Sequence, residues 1–228
     1  MGTKADTPYD AGPFLPGRGG IPAHRRAAAG CRGCPLYEGT TGTVFGAGDP
    51  HARLVLVGEQ PGDQEDRQGK PFVGPAGQLL HRALADAGLD DEAAYVTNAV
   101  KHFKYVPAPG GGKRRIHKAP SLRELSACRP WLEAELRLVD PDLVVALGAT
   151  AGRALWGPGF RVGERRGLLV PLPEFDGVPP HGRGLATVHP SAVLRAADRD
   201  AVYGGLVADL RTAAEALADA PGPAGVRT

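Results

Sequence analysis

The chain has 228 residues, 42% of them hydrophobic, which is enough for one buried core and excludes an intrinsically disordered chain. No stretch is long and apolar enough to read as a membrane span, and the opening segment lacks an apolar signal core. The expectation is therefore a cytoplasmic protein with no membrane partner. A net charge of +2 excludes a strongly one-signed surface, and three cysteines in a reducing compartment exclude a disulfide framework.

In chain order, residues 1–22 are rich in glycine and proline and read as a disordered tail, residues 23–219 as one domain, and residues 220–228 as a second tail. A short helix over 23–30 leads into Cys31-Arg32-Gly33-Cys34. The apolar run 54–57 reads as a buried strand and opens onto a polar loop. A helix over 75–87 follows, with Leu79, Leu80, Ala83 and Leu84 at helical spacing and Gly88 as its stop. A second strand covers 94–100 and carries Asn98 near its end. Residues 103–120 look irregular. Ser121 and Glu124 form a capping box that starts a helix running to about 139, with Leu125, Cys128, Trp131 or Leu132, and Leu136 facing inward.

The remaining elements are an apolar strand over 142–147, a helix over 150–155 and a small hairpin within 161–171. A fourth strand over 185–188 ends at His189-Pro190-Ser191, followed by a short helix over 192–195 and a last helix over 201–217. Strand and helix alternate four times. That pattern predicts an α/β fold of three α/β/α layers around a four-stranded parallel sheet. Trp131, Trp156 and Tyr203 are assigned to core packing alone.

Charge is unevenly placed. No acidic residue lies between Glu92 and Glu124, while Lys101, Lys104, Lys113, Arg114, Arg115, Lys118 and Arg123 do. Local positive charge of this kind attracts phosphate backbones, although a solvated basic loop would have the same composition.

The stretch 54–80, LVLVGEQPGDQEDRQGKPFVGPAGQLL, is the most specific in the chain. In an open α/β sheet, ligands bind beyond the carboxyl ends of the strands, where this loop would lie. Glu59, Gln60 and Asp63 stand just past the strand end, and Phe72 offers a flat face to a base. A Walker loop is excluded by spacing and by Pro71 in place of Ser or Thr, and no G-x-G-x-x-G follows the strand. The order Gly58-Glu59-Gln60-Pro61-Gly62, then Gly69-Lys70-Pro71-Phe72-Val73-Gly74 and Gly77, resembles motif one of the uracil-DNA glycosylase superfamily in its iron-sulfur families. His189-Pro190-Ser191 is similar to motif two of that superfamily.

The resemblance implies a uracil-DNA glycosylase-like fold and a monomer acting on uracil-containing DNA, single-stranded or double-stranded. A uracil pocket would be made by Gly58, by Phe72 stacking on the flipped base, by Asn98 reading its edge, and by His189 facing O2 as the base departs. Glu59 and Asp63 would be carboxylates beside the sugar, and Lys101, Lys113, Arg114, Arg115, Lys118, Ser191 and Arg195 would contact DNA. A [4Fe–4S] cluster with a structural role is implied on Cys31, Cys34 and Cys128, with His102 standing where those families carry a fourth cysteine. A zinc site on the same three Cys and one His is the chemical alternative.

Two further features, Gln60 within GEQPG and the insertion GKRRIHKAP over 112–120, resemble the UdgX subfamily. There a histidine, here His117, bonds covalently to the abasic sugar after uracil leaves. On that reading Gln60 orients His117 or the sugar, and Arg115 braces the loop or holds a phosphate. A conventional turnover glycosylase and a non-catalytic, metal-stapled nucleic-acid-binding module are the competing readings.

Overall fold

The computed structural model describes residues 9–110, 114–175 and 180–220. After α1 (Ile21–Ala28), a two-residue edge strand β1 (Ala47–Gly48) precedes β2 (Leu54–Gly58) and a short helix α2 (Asp63–Gln68). Next come α3 (Pro75–Asp86), β3 (Ala94–Asn98) and a separate hairpin of β4 (Tyr105–Pro107) and β5 (Arg115–His117). The chain continues through α4 (Leu122–Val139), β6 (Leu143–Leu147), α5 (Ala149–Trp156), α6 (Val162–Arg165) and β7 (Leu169–Pro171). It ends with β8 (Arg183–Thr187), α7 (Pro190–Arg195) and α8 (Arg199–Asp219).

The main sheet has the order β1-β3-β2-β6-β8-β7. Its four inner strands are parallel, as the apolar runs predict, and β1 and β7 add antiparallel edges. The sheet is therefore six-stranded rather than four-stranded. The edges are two and three residues long, too short to show a period of two in the sequence. The hairpin expected within 161–171 is instead a helical turn followed by an edge strand paired to β8.

Alternation along each inner strand splits the core in two. Val55, Val57, Tyr95, Val144 and Ala146 face a layer built by α4 and α5, with Trp131 and Leu132 at its centre. Leu54, Leu56, Leu143, Val145, Leu147 and Leu185 face the opposite layer of α3, α7 and α8. Ser121 caps α4 by accepting the Glu124 N–H, and the Glu124 carboxylate returns to the Ser121 N–H, as the capping box requires.

The folded body begins earlier than residue 23. The Ala11 N–H donates to Ala127 O on α4 at 2.9 Å, and a Cβ at Gly33 would lie 2.5 Å from Asp10 O. The segment 9–22 thus packs against the CxxC turn and α4, and its glycines and prolines serve turns rather than disorder. The outer parts of both expected tails, 1–8 and 221–228, lie outside the described residues. Among the described residues no helix is long and apolar enough to cross a membrane.

Candidate active site

The carboxyl ends of all four parallel strands open onto one cavity of about 790 Å³. Each strand delivers polar groups: Glu59 and Gln60 follow β2, Asn98 ends β3, Thr150 stands just after β6, and His189 follows β8. Phe72 and the hairpin residues Ile116 and His117 complete the wall, with Ser191 and Arg195 of α7 at its edge.

Asn98 and Phe72 of the cavity wall meet over Gly58 at the end of β2. Gly58 has no side chain because there is no room for one: a Cβ there would sit 2.3 Å from Asn98 Oδ1 and 2.6 Å from the Phe72 ring. Phe72 occupies a left-handed backbone conformation, φ 54°, which disfavours a residue of its kind. Two neighbours hold it there. Gly77 lets α3 approach so closely that a Cβ would lie 1.7 Å from Phe72 O, and Glu65 accepts the Gly62 and Gly74 N–H groups at 3.0 and 2.7 Å. Glu65 was not singled out from the sequence, where it reads as an ordinary acidic residue of a polar loop.

Asn98 is buried, and its backbone carbonyl accepts a hydrogen bond of 2.7 Å from Lys101 Nζ. The Lys101 side chain also donates to Thr97 Oγ1 and pairs with Glu135 inside the core. Lys101 is therefore unavailable to DNA, which corrects the expectation drawn from its place in a basic run. Its charge is answered by a carboxylate 34 residues further on.

His189 accepts the Ser191 N–H on Nδ1 at 3.1 Å, so the neutral ring carries its proton on Nε2. Burial lowers its pKa to about 4, with Arg195 and His117 acting in the same direction. Neutral His189 is thus a fixed N–H donor at the cavity, its ring centroid 6.2 Å from that of Phe72.

His117 comes from the hairpin, which the sequence suggested only as an irregular loop. Its Nε2 lies 3.3 Å from Glu59 Oε1, while Glu59 Oε2 accepts the Thr150 hydroxyl. Burial holds the His117 pKa below the ordinary value; Glu59 opposes this and Arg195 adds to it. Both burial and Arg195 therefore disfavour the protonated ring.

Gln60 bridges the two residues that flank the hairpin strands at their open end. Its Nε2 donates to Lys104 O and Lys118 O at 3.2 and 3.1 Å, and its Oε1 accepts the Lys104 N–H at 3.1 Å. Arg115 donates to Asp63 and Asp66 and lies over the Phe103 and Tyr105 rings. It braces the hairpin, the first of the two roles the sequence left open. Asp63 consequently faces Arg115 and Arg67 rather than the cavity, which corrects its expected place beside the sugar. The guanidinium partners hold its carboxyl below the usual range against the opposing effect of burial. Arg114 and Lys118 are exposed, and Lys113 lies outside the described residues.

Cys31, Cys34, Cys128 and His102 are all buried, and the three thiols form no disulfide. Two sulfurs already accept hydrogen bonds of 3.3 Å, Cys31 from the Trp131 indole and Cys128 from the Lys101 N–H. Burial pushes the Cys128 thiol up to about 12; Lys101 opposes this, and Cys34 and Cys31 add to it. Burial likewise lowers His102 to about 4 against the pull of Asp66, leaving a neutral imidazole. Three thiols, two of them with N–H donors on sulfur, and one neutral imidazole are a donor set suited to a soft metal or cluster. Among the described residues, no three of these side chains stand at metal-binding distance from one another.

Residues 45–211 match the family model described as the uracil DNA glycosylase superfamily. The chain is 36% identical over 165 residues to a type-4 uracil-DNA glycosylase of Thermotoga maritima, covering 72% of this chain and 78% of that one. It is 33% identical to a type-4 uracil-DNA glycosylase of Pyrobaculum aerophilum, covering 72% and 80%. A type-5 uracil-DNA glycosylase of Thermus thermophilus is 36% identical over 57% of this chain and 63% of its own length. With the cavity assembled from both matching motifs, this chain belongs to the uracil-DNA glycosylase superfamily.

Proposed function

We propose that the protein excises uracil from DNA and then captures the abasic sugar covalently through His117. The observation that carries this is the contact between His117 Nε2 and Glu59 Oε1, 3.3 Å apart on the wall of the cavity that holds the base slot. Uracil flipped into the slot stacks on Phe72 and presents its edge to the Asn98 amide. The C1′–N1 bond breaks with its electron pair leaving on uracil. The His189 Nε2–H meets the charge that builds on O2.

The deoxyribose becomes an oxocarbenium ion at C1′, beside the Glu59 carboxylate. A ring nitrogen of neutral His117 supplies a lone pair to C1′. The imidazolium so formed loses its remaining N–H proton to Glu59, leaving a neutral N-alkyl imidazole. An imidazole held by the hairpin in the place where water would attack favours capture over hydrolysis. Arg114, Lys118, Ser191 and Arg195 would bind the phosphates on either side.

Cys31, Cys34, His102 and Cys128 would hold a [4Fe–4S] cluster. Such a group would cross-link the CxxC turn to the segment after β3 and to α4 and carry no step of the reaction. Visible absorbance with iron and sulfide in the purified protein supports the cluster, whereas zinc alone supports the rival metal site.

The deciding measurement uses single-stranded DNA bearing one uracil, run on a denaturing gel after incubation. A shifted band stable to heat and SDS, absent in His117→Ala, is the expected result. Free abasic DNA released over many turnovers would make the protein a conventional glycosylase, and binding without release of uracil would make it a binding module.

A further inference from the structure

The hairpin that presents His117 has a second face. Directly opposed residues share a face in an antiparallel pair, so the pairing of Tyr105 with His117 and Pro107 with Arg115 sets those four on one side. That side meets Phe103, Asp63 and Asp66. Val106 and Ile116 pair across the strands and share the other side. Each is 38% exposed, and they are two of the four large hydrophobic side chains left exposed among the described residues. Ile116 also reaches the cavity wall. Around this apolar pair stand the exposed cations Arg114 and Lys118 on the same hairpin, with Arg195 across the cavity mouth.

We propose that Val106 and Ile116 form a platform for the nucleobase next to the flipped uridine. The inference rests on the reading of the cavity as a uracil site. A nucleotide neighbouring the flipped one has lost a stacking partner, so it offers an apolar base face together with an anionic phosphate. An apolar pair within a cationic rim matches both halves of that chemistry. The platform is on the same two strands as His117, so a base seated on it also fixes the hairpin over the sugar.

The test pairs a change in the protein with a change in the DNA. One single-stranded oligonucleotide carries an uncleavable fluoro-substituted deoxyuridine between thymidines. A second carries tetrahydrofuran residues in place of both neighbours. Wild-type protein is expected to bind the first about tenfold more tightly than the second, the scale of burying two aliphatic side chains in part. Val106→Ala with Ile116→Ala should bind both alike, at the affinity of wild type for the second.

An equal loss on both substrates would mean that the substitutions merely disturbed the hairpin, and it overturns the platform. So does a wild-type protein that does not distinguish the two. So too does self-association that the variant abolishes, which would assign the patch to a second copy of the chain. The denaturing gel with cleavable uracil, run alongside, separates the two readings. Adduct without neighbour discrimination sinks the platform alone, and absence of adduct sinks capture by His117.

Discussion

The amide of Gln60 donates to the carbonyl of Lys118 at 3.1 Å, one residue beyond His117. The same side chain spans to Lys104, just before the facing strand β4, through both its nitrogen and its oxygen. The motif-one loop and the hairpin that carries His117 are thereby joined through backbone groups, so the proposed capture predicts that Gln60 positions His117 without touching it. Gln60→Ala leaves the Lys104 N–H and the Lys118 carbonyl without a partner, while Lys104 O keeps the Lys118 N–H, at about 1–3 kcal/mol of local stability. The expected outcome is a rate of adduct formation about tenfold lower with uracil recognition retained. Single-turnover gels checked against binding of an uncleavable uridine measure both, and an unchanged rate would remove Gln60 from this role.

Thr150 gives a second test at the same carboxylate. Its hydroxyl donates to Glu59 Oε2, which leaves Oε1 turned toward His117. Thr150→Val keeps the shape and removes the donor. Loss of one hydrogen bond to a charged group is worth about 1.5–3 kcal/mol, so the rate of adduct formation should fall at least tenfold. Thr150→Ser should restore it. A serine variant as slow as the valine variant would show that packing of α5, not orientation of Glu59, is what Thr150 supplies.

How much of this was legible in the sequence depends on the range of the interaction concerned. The buried strands announce themselves because 54–57 and 142–147 are continuous apolar runs, and Ser121 with Glu124 marks the start of α4 within four residues. Both family motifs are contiguous, so Glu59 and His189 could be set at strand ends before the fold was known, and Asn98 by its place at the end of the second strand. The errors concern charges with distant partners. Lys101 reads as a surface cation until Glu135 is found beside it, and Asp63 reads as a sugar-facing carboxylate until Arg115 arrives from 52 residues away. The hairpin was missed because strands of three residues carry no readable period.

Gly58 tests the base slot without removing any reacting group. A Cβ would lie 2.3 Å from Asn98 Oδ1 and 2.6 Å from the Phe72 ring, closer than real side-chain carbons approach. Gly58→Ala must therefore displace the amide, the ring or both. Overpacking of this kind costs about 1–3 kcal/mol, which the fold should survive with a lower melting temperature. Excision should fall by at least about a hundredfold, because the displaced groups are the two proposed to stack on and read the base. Near-normal excision by a folded Gly58→Ala protein would place the base elsewhere in the cavity.

The pH dependence follows from His189. Its folded-state pKa of about 4 lies below the ordinary histidine value, so between the two the unfolded chain binds a proton that the folded protein does not. Its neutral form therefore adds stability fully above about pH 6.5, and that contribution fades as pH falls toward 4. The scale is about 3 kcal/mol for a shift of this size. Protonation would also place a hydrogen on Nδ1, where the Ser191 N–H now donates, and so open the start of α7. Urea unfolding of wild type should show stability dropping across that window, and His189→Asn should lessen the slope there, leaving the part due to His102, while abolishing rapid excision. If the slope is the same in both proteins, the His189 proton is not linked to folding, and the argument that Nε2 alone bears it at neutral pH loses its support.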